Sequence, residues 1–160
     1  MNIDVISTVL CNLDINEYEE VGDGLPDREQ KRIVQYWKMH TTYEVIENAS
    51  RKEWFRNGKQ HRDGDLPAVE GVNGYKCWYK NGEVHRDGDL PAIEYGDGTK
   101  YWYKNGKLHR DGDLPAVVLA NGTKYWYKNN KLHRDGDLPA AEYANGRKEW
   151  WKNGFNYYPS

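Results

Sequence analysis

The chain of 160 residues carries a formal net charge of −2, with 38% hydrophobic and 30% charged residues. That balance suits one domain and excludes both a thick aliphatic core and the strongly basic surface of a duplex nucleic-acid binder. Large rings offset part of the apolar deficit, since seven Trp and thirteen Tyr stand against two Phe.

The first twenty residues, MNIDVISTVLCNLDINEYEE, have no basic lead and carry Asp4, so they do not read as a secretory signal. No apolar run is long enough to cross a bilayer. Cys11 and Cys77 are too few for a disulfide framework and lack paired metal-ligand spacing, which points to a reducing compartment. The expectation is a soluble cytoplasmic protein. Ile6, Val9, Leu10 and Leu13 fit a helical stripe, although the β-branched content also allows a strand. Charge then divides the chain: residues 1–50 hold four Lys/Arg against ten Asp/Glu, and 51–160 hold nineteen against fifteen. Pro26 precedes Trp37 by 11 residues, the offset that separates Pro67 from Trp78, so a degenerate repeat lies there without its HRDGD segment. TTYEVIENAS, residues 41–50, reads as a plain hairpin. Residues 1–49 are therefore expected to form a small N-terminal cap over the open end of an array.

From residue 50 to 160 the chain repeats. HRDGDLPA begins at His61, His85, His109 and His133, a step of 24 residues. Trp54, Trp78, Trp102, Trp126 and Trp150 keep the step, as do Lys52, Lys76, Lys100, Lys124 and Lys148. One unit, residues 99–122, reads TKYWYKNGKLHRDGDLPAVVLANG and holds two Asn-Gly pairs, the strongest short hairpin signal. The expected fold is all-β, an elongated meander of tandem 24-residue β-hairpin repeats. If both Asn-Gly pairs make two-residue turns, His109 lies opposite Trp102, Val117 opposite Trp126 and Ala141 opposite Trp150. Val, Ile and His would then flank a Trp column that stitches the units together.

HRDGDLPA admits three readings. A kinase catalytic loop would continue to a metal-binding Asn and work beside a Gly-rich phosphate loop, and neither accompanies it here. A calcium loop needs 6–8 oxygens, whereas each copy offers two carboxylates, so no metal and no cofactor is expected. The third reading is a structural corner built from His61, Arg62, Asp63, Asp65, His85, Arg86, Asp87, Asp89, His109, Arg110, Asp111, Gly112, Asp113, His133, Arg134, Asp135 and Asp137. Gly turns the chain at positive φ, Asp caps turn amides and Leu-Pro sets the exit direction. Each Arg would then lie near an Asp of its own or the next copy. The His would partner the Trp ring and a backbone carbonyl.

W-x-K-N-G-K-x-H-x-x-G resembles the MORN repeat, a hairpin unit found in scaffold and membrane-tethering proteins. The longer YWYKNGKLHRDGDLPAV is similar to variant repeats in proteins of giant DNA viruses, phages and bacteria. The resemblance covers about residues 50–155 and implies a tandem hairpin fold. Where the family often has glycine, this chain has Lys100, Tyr101, Tyr103 and Arg110.

Function is expected to be non-enzymatic: an interaction or scaffold protein meeting a protein partner, with a viral or phage protein acting on a host factor as one form. Strand alternation places Tyr79, Tyr101, Tyr103, Tyr125 and Tyr127 on one candidate binding face. The opposite face, with Lys100, Trp102, Lys104, Lys124, Trp126 and Lys128, is the alternative platform for glycan, single-stranded nucleic acid or anionic lipid. Burial of its Trp rings beneath Lys stems is the favoured reading. Nucleic acid is not the expected partner, a membrane surface is a weaker option, and oligomeric state is left open.

Overall fold

A computed structural model describes residues 41–159; of the expected cap over 1–49, residues 1–40, with the degenerate repeat near Pro26 and Trp37, lie outside them. The described chain is all-β, an antiparallel meander of eighteen short strands. Twelve belong to one sheet whose order follows the sequence, and three two-stranded ribbons stand beside it. Residues 41–50 supply the strand Tyr43–Glu47, which pairs with Arg51–Arg56. No helix among the described residues is long and apolar enough to cross a membrane.

Each unit contributes a pair of sheet strands and a ribbon, and its tryptophan is the joint between them. Trp102 N–H donates to the Ala116 carbonyl in the sheet, and the Trp102 carbonyl accepts from His109 N–H in the ribbon. The strand is interrupted there, between Lys100–Tyr101 and Tyr103–Lys104. The facing alanine must be small to admit the ring: Ala68, Ala92, Ala116 and Ala140 are completely buried.

The two Asn-Gly pairs of a unit fold differently. Asn105 and Gly106 both take positive φ (50° and 69°), a type I′ turn that places Tyr103 opposite Leu108 and carries the expected His109 to Trp102 alignment. At Asn121-Gly122 only Gly122 is at positive φ, 88°. The Asn121 carboxamide instead accepts from Thr123 N–H, and Leu119 closes on Thr123. This loop has one residue more, the pattern of a type I turn ended by a left-handed glycine. Register shifts by one, so Val117 faces Tyr125, not Trp126, and Ala141 faces Glu149, not Trp150. A slip of one residue moves a side chain to the other face, and the expected Val and Ile flanks of the Trp column therefore belong to the tyrosine column.

Two columns cross the sheet. One runs Val69, Cys77, Ile93, Tyr101, Val117, Tyr125, Ala141, with Val69, Cys77, Val117 and Ala141 buried. The other alternates in charge: Glu47, Lys52, Glu70, Lys76, Glu94, Lys100, then Val118, then Lys124, Glu142, Lys148. Opposite charges facing one another across strands are worth roughly 0.2–1 kcal/mol each. Val118 alone interrupts this alternation, standing between Lys100 and Lys124 where a glutamate would continue it. Val118→Glu is expected to raise stability by about 0.5–1 kcal/mol, read as a higher melting temperature. A lower one would mean that the apolar contacts of Val118 outweigh the missing charge.

Candidate functional site

Each HRDGD corner closes on its own tryptophan and on its neighbours. The guanidinium carbons of Arg62, Arg86, Arg110 and Arg134 sit 3.7, 3.8, 4.0 and 3.9 Å from the ring centroids of Trp54, Trp78, Trp102 and Trp126. Arginine, in place of the expected lysine stems, covers the rings of Trp78, Trp102 and Trp126, while Trp54 has the Lys52 ammonium 5.6 Å from its centroid as well. One guanidinium nitrogen then donates to the carbonyl of Pro67, Pro91, Pro115 or Pro139. The rest of the fork reaches back one copy: Arg86 grips Asp65 at 2.8 and 2.9 Å, Arg110 grips Asp89 at 2.8 and 2.9 Å, and Arg134 grips Asp113 at 2.6 and 2.8 Å. The arginine-aspartate ladder thus pairs Arg86, Arg110 and Arg134 each with the preceding copy, neither its own nor the next. Bidentate geometry of this kind needs a planar donor.

Histidine links the copies in the other direction. Nδ1 of His61, His85, His109 and His133 accepts from the backbone N–H of Asn81, Asn105, Asn129 and Asn153, each in the turn of the following unit. The proton must then lie on Nε2, which donates to Asp63, Asp87, Asp111 or Asp135 of the same corner. The expected partner was a backbone carbonyl; a backbone N–H takes that place because the type I′ turn presents an unpaired donor. Lys80 and Lys104 add bonds to Asp87 and Asp111 at 2.9 and 2.7 Å, while Lys128 stands 3.5 Å from Asp135. Asp137 has no guanidinium partner among the described residues. Nor does any group of three His, Cys, Asp or Glu side chains gather there as a metal site.

These bonds set the acid response. The arginine forks hold Asp65, Asp89 and Asp113 below the usual carboxylate range. Hydrogen bonds from His85 and then Lys80 bring Asp87 to about 2. Bonds led by His61, Lys104 and His133 lower Asp63, Asp111 and Asp135. A carboxylate whose pKa falls on folding stabilises the fold above its unfolded value, and that share is lost as pH drops through the folded value. Melting temperature should therefore fall between about pH 4 and about pH 2, and added salt should shrink the slope because most of these groups face water. A flat profile would show the ladder contributes nothing.

Gly112 turns the third corner at φ 73°, and an added Cβ would meet nothing within 4 Å. Only backbone strain opposes Gly112→Val, so a loss of about 1–2 kcal/mol is expected in chemical denaturation. A larger loss would reveal an unsuspected contact.

The tyrosine face is a packed stack. Tyr79, Tyr101, Tyr103, Tyr125 and Tyr127 are all half-buried. Ring centroids stand 5.1 Å apart for Tyr75 and Tyr95, 5.9 Å for Tyr95 and Tyr101, and 5.8 Å for Tyr125 and Tyr143, all edge to face. Burial pushes the Tyr79 hydroxyl up to about 12 and raises those of Tyr101, Tyr103 and Tyr127. On the other face Trp78, Trp102 and Trp126 are buried, whereas Lys100, Lys104, Lys124 and Lys128 are exposed.

What stands open at regular intervals is a leucine row. Leu66, Leu90, Leu114 and Leu138 are 48, 42, 45 and 45% exposed. Sequence reasoning read Leu-Pro only as an exit direction; an apolar residue fixed beside a Pro in a polar turn was the signal. Clefts open beside this row between successive corners, about 230 Å³ at the second and third copies and about 470 Å³ at the third and fourth. Compared with known proteins, the chain matches no family model, no curated protein and no solved structure.

Proposed function

We propose that the protein is a non-enzymatic interaction scaffold whose corner edge is read by a protein partner. The observation that carries the reading is the row of half-exposed leucines at one per unit. The four side chains recur at one per unit beside clefts lined by charged residues, and an apolar row rimmed by charge is a surface suited to a protein partner. Each corner histidine is engaged at both ring nitrogens, and each corner arginine holds its guanidinium over a tryptophan ring. This engagement favours a scaffold over acid–base chemistry. A ligand stacking on Trp102 or Trp126 would first have to displace Arg110 or Arg134, which weighs against the glycan, single-stranded nucleic acid and anionic lipid reading. The resemblance to variant repeats of giant viruses, phages and bacteria extends the proposal to a viral or phage protein acting on a host factor in the host cytoplasm.

Capture from lysate followed by mass spectrometry tests the reading when run with two variants side by side. Leu66→Asp with Leu90→Asp should remove a captured protein that Tyr95→Ser with Tyr143→Ser, in the tyrosine stack and away from the clefts, retains. The opposite pattern would place recognition on the tyrosine face.

A further inference from the structure

The cleft between the third and fourth copies departs from its counterparts at three points. The indole N–H groups of Trp78, Trp102 and Trp150 donate to the carbonyls of Asp65, Asp89 and Asp137 at 3.0, 3.0 and 3.1 Å. The equivalent N–H of Trp126 is buried and has no partner. Arg62, Arg86 and Arg134 each pair with a glutamate of their own unit, Glu70, Glu94 and Glu142. Arg110 finds Val118 at that position and keeps only Asp89 and the Pro115 carbonyl. Lys128 is held to its aspartate at 3.5 Å where Lys80 and Lys104 are held at 2.9 and 2.7 Å.

All three under-partnered donors, Arg110, Trp126 and Lys128, line the same cleft of about 470 Å³, about twice the volume of its counterpart one unit earlier. Its aspartates are already engaged: Asp113 by Arg134, Asp111 by Lys104 and His109, and Asp135 by His133. Leu114 and Leu138 flank it with apolar surface. An unpaired buried N–H is costly, and Arg110 and Lys128 on the same cleft wall can give an incoming carboxylate charge-assisted hydrogen bonds.

We propose that this cleft is a carboxylate seat on the recognition edge, filled by a glutamate or aspartate of the partner protein set beside an apolar residue that packs on Leu114 and Leu138. It rests on the reading of the leucine edge as a protein-binding surface and specifies the chemistry of that partner. The carboxylate takes its hydrogen bonds from Arg110 and Lys128. The corner at Asp111–Asp113 yields to let an acceptor reach the Trp126 indole.

Indole N–H signals in a nitrogen–proton correlation spectrum of the full chain provide the test, with Trp126→Phe assigning the Trp126 signal. The probes are the capped tripeptide N-acetyl-Leu-Glu-Leu-amide and its Gln counterpart. The Glu peptide should move the Trp126 signal saturably at concentrations up to about 10 mM, the range of a weak single contact, and leave the Trp78 and Trp102 signals in place. Val118→Glu, which restores the glutamate of the other units, should weaken the peptide by about tenfold. Equal shifts with the Gln peptide, equal shifts at Trp102, no saturable shift, or undiminished binding by Val118→Glu would each overturn the seat. Leu66→Asp with Leu90→Asp lies outside the cleft, so loss of partner capture there alongside a failed peptide titration would leave the leucine edge standing and remove the seat alone.

Discussion

Trp102→Ala is expected to cost about 3–5 kcal/mol, the usual range for a large aromatic removed from a core, measured by chemical denaturation. Trp102 is 9% exposed. Its ring is the floor for Arg110 and its indole N–H satisfies the Asp89 carbonyl. Truncation leaves that carbonyl unpaired, exposes the guanidinium on a surface it no longer fits, and opens a void beside Ala116. The backbone bonds through residue 102 survive, so the loss belongs to the side chain. Because each unit touches mainly its neighbours, the damage should stay local. The transition should broaden as the units on either side melt apart. Trp102→Phe keeps a ring beneath Arg110 and should recover more than half of the loss. A cost under about 1 kcal/mol for the alanine change would mean that the ring is not part of the core.

The period, the strand content and the type I′ turn at Asn105-Gly106 were legible because each depends on residues close in sequence. The other Asn-Gly was not. Its turn type depends on Asn121 bonding to Thr123 N–H and on Leu119 closing with Thr123, a contest between two local geometries that the same dipeptide allows. One wrong loop length was enough to put Val117 and Ala141 on the wrong face. The corner was legible as a corner, since Gly and Asp at a chain reversal carry their own explanation, but the direction of its bonds was not. Arg110 reaching back to Asp89 and His109 reaching forward to Asn129 depend on how far each unit is offset from the next, which no single repeat encodes. Gly96 shows the same limit. Ala120 and Ala144 occupy its place in later units, yet a Cβ there would run into the Asn73 carbonyl of the preceding turn.

Arg110→Ala is expected to cost about 2–4 kcal/mol, assembled from three contacts of different kinds. The stack on Trp102 at 4.0 Å is largely shielded from water and contributes about 1–2 kcal/mol. The bond to the Pro115 carbonyl adds about 1 kcal/mol. The fork onto Asp89 is geometrically sound, but that carboxylate is half exposed, so solvent screening limits it to about 1 kcal/mol or less. Arg110→Lys keeps the charge and loses both the planar stack and the fork; it should recover less than half of the loss. A double-mutant cycle with Asp89→Ala isolates the last contact and should return a coupling of about 1 kcal/mol or less. The acid response separates the contacts a second time. The fork is what holds Asp89 below the usual carboxylate range, and its share of stability exists above the unfolded pKa and vanishes below the folded one. Arg110→Ala should therefore flatten the acid slope while lowering stability at neutral pH by more than the fork alone. If the loss disappears entirely by about pH 2, the ion pair carries the whole effect and the arginine-on-tryptophan stack contributes nothing.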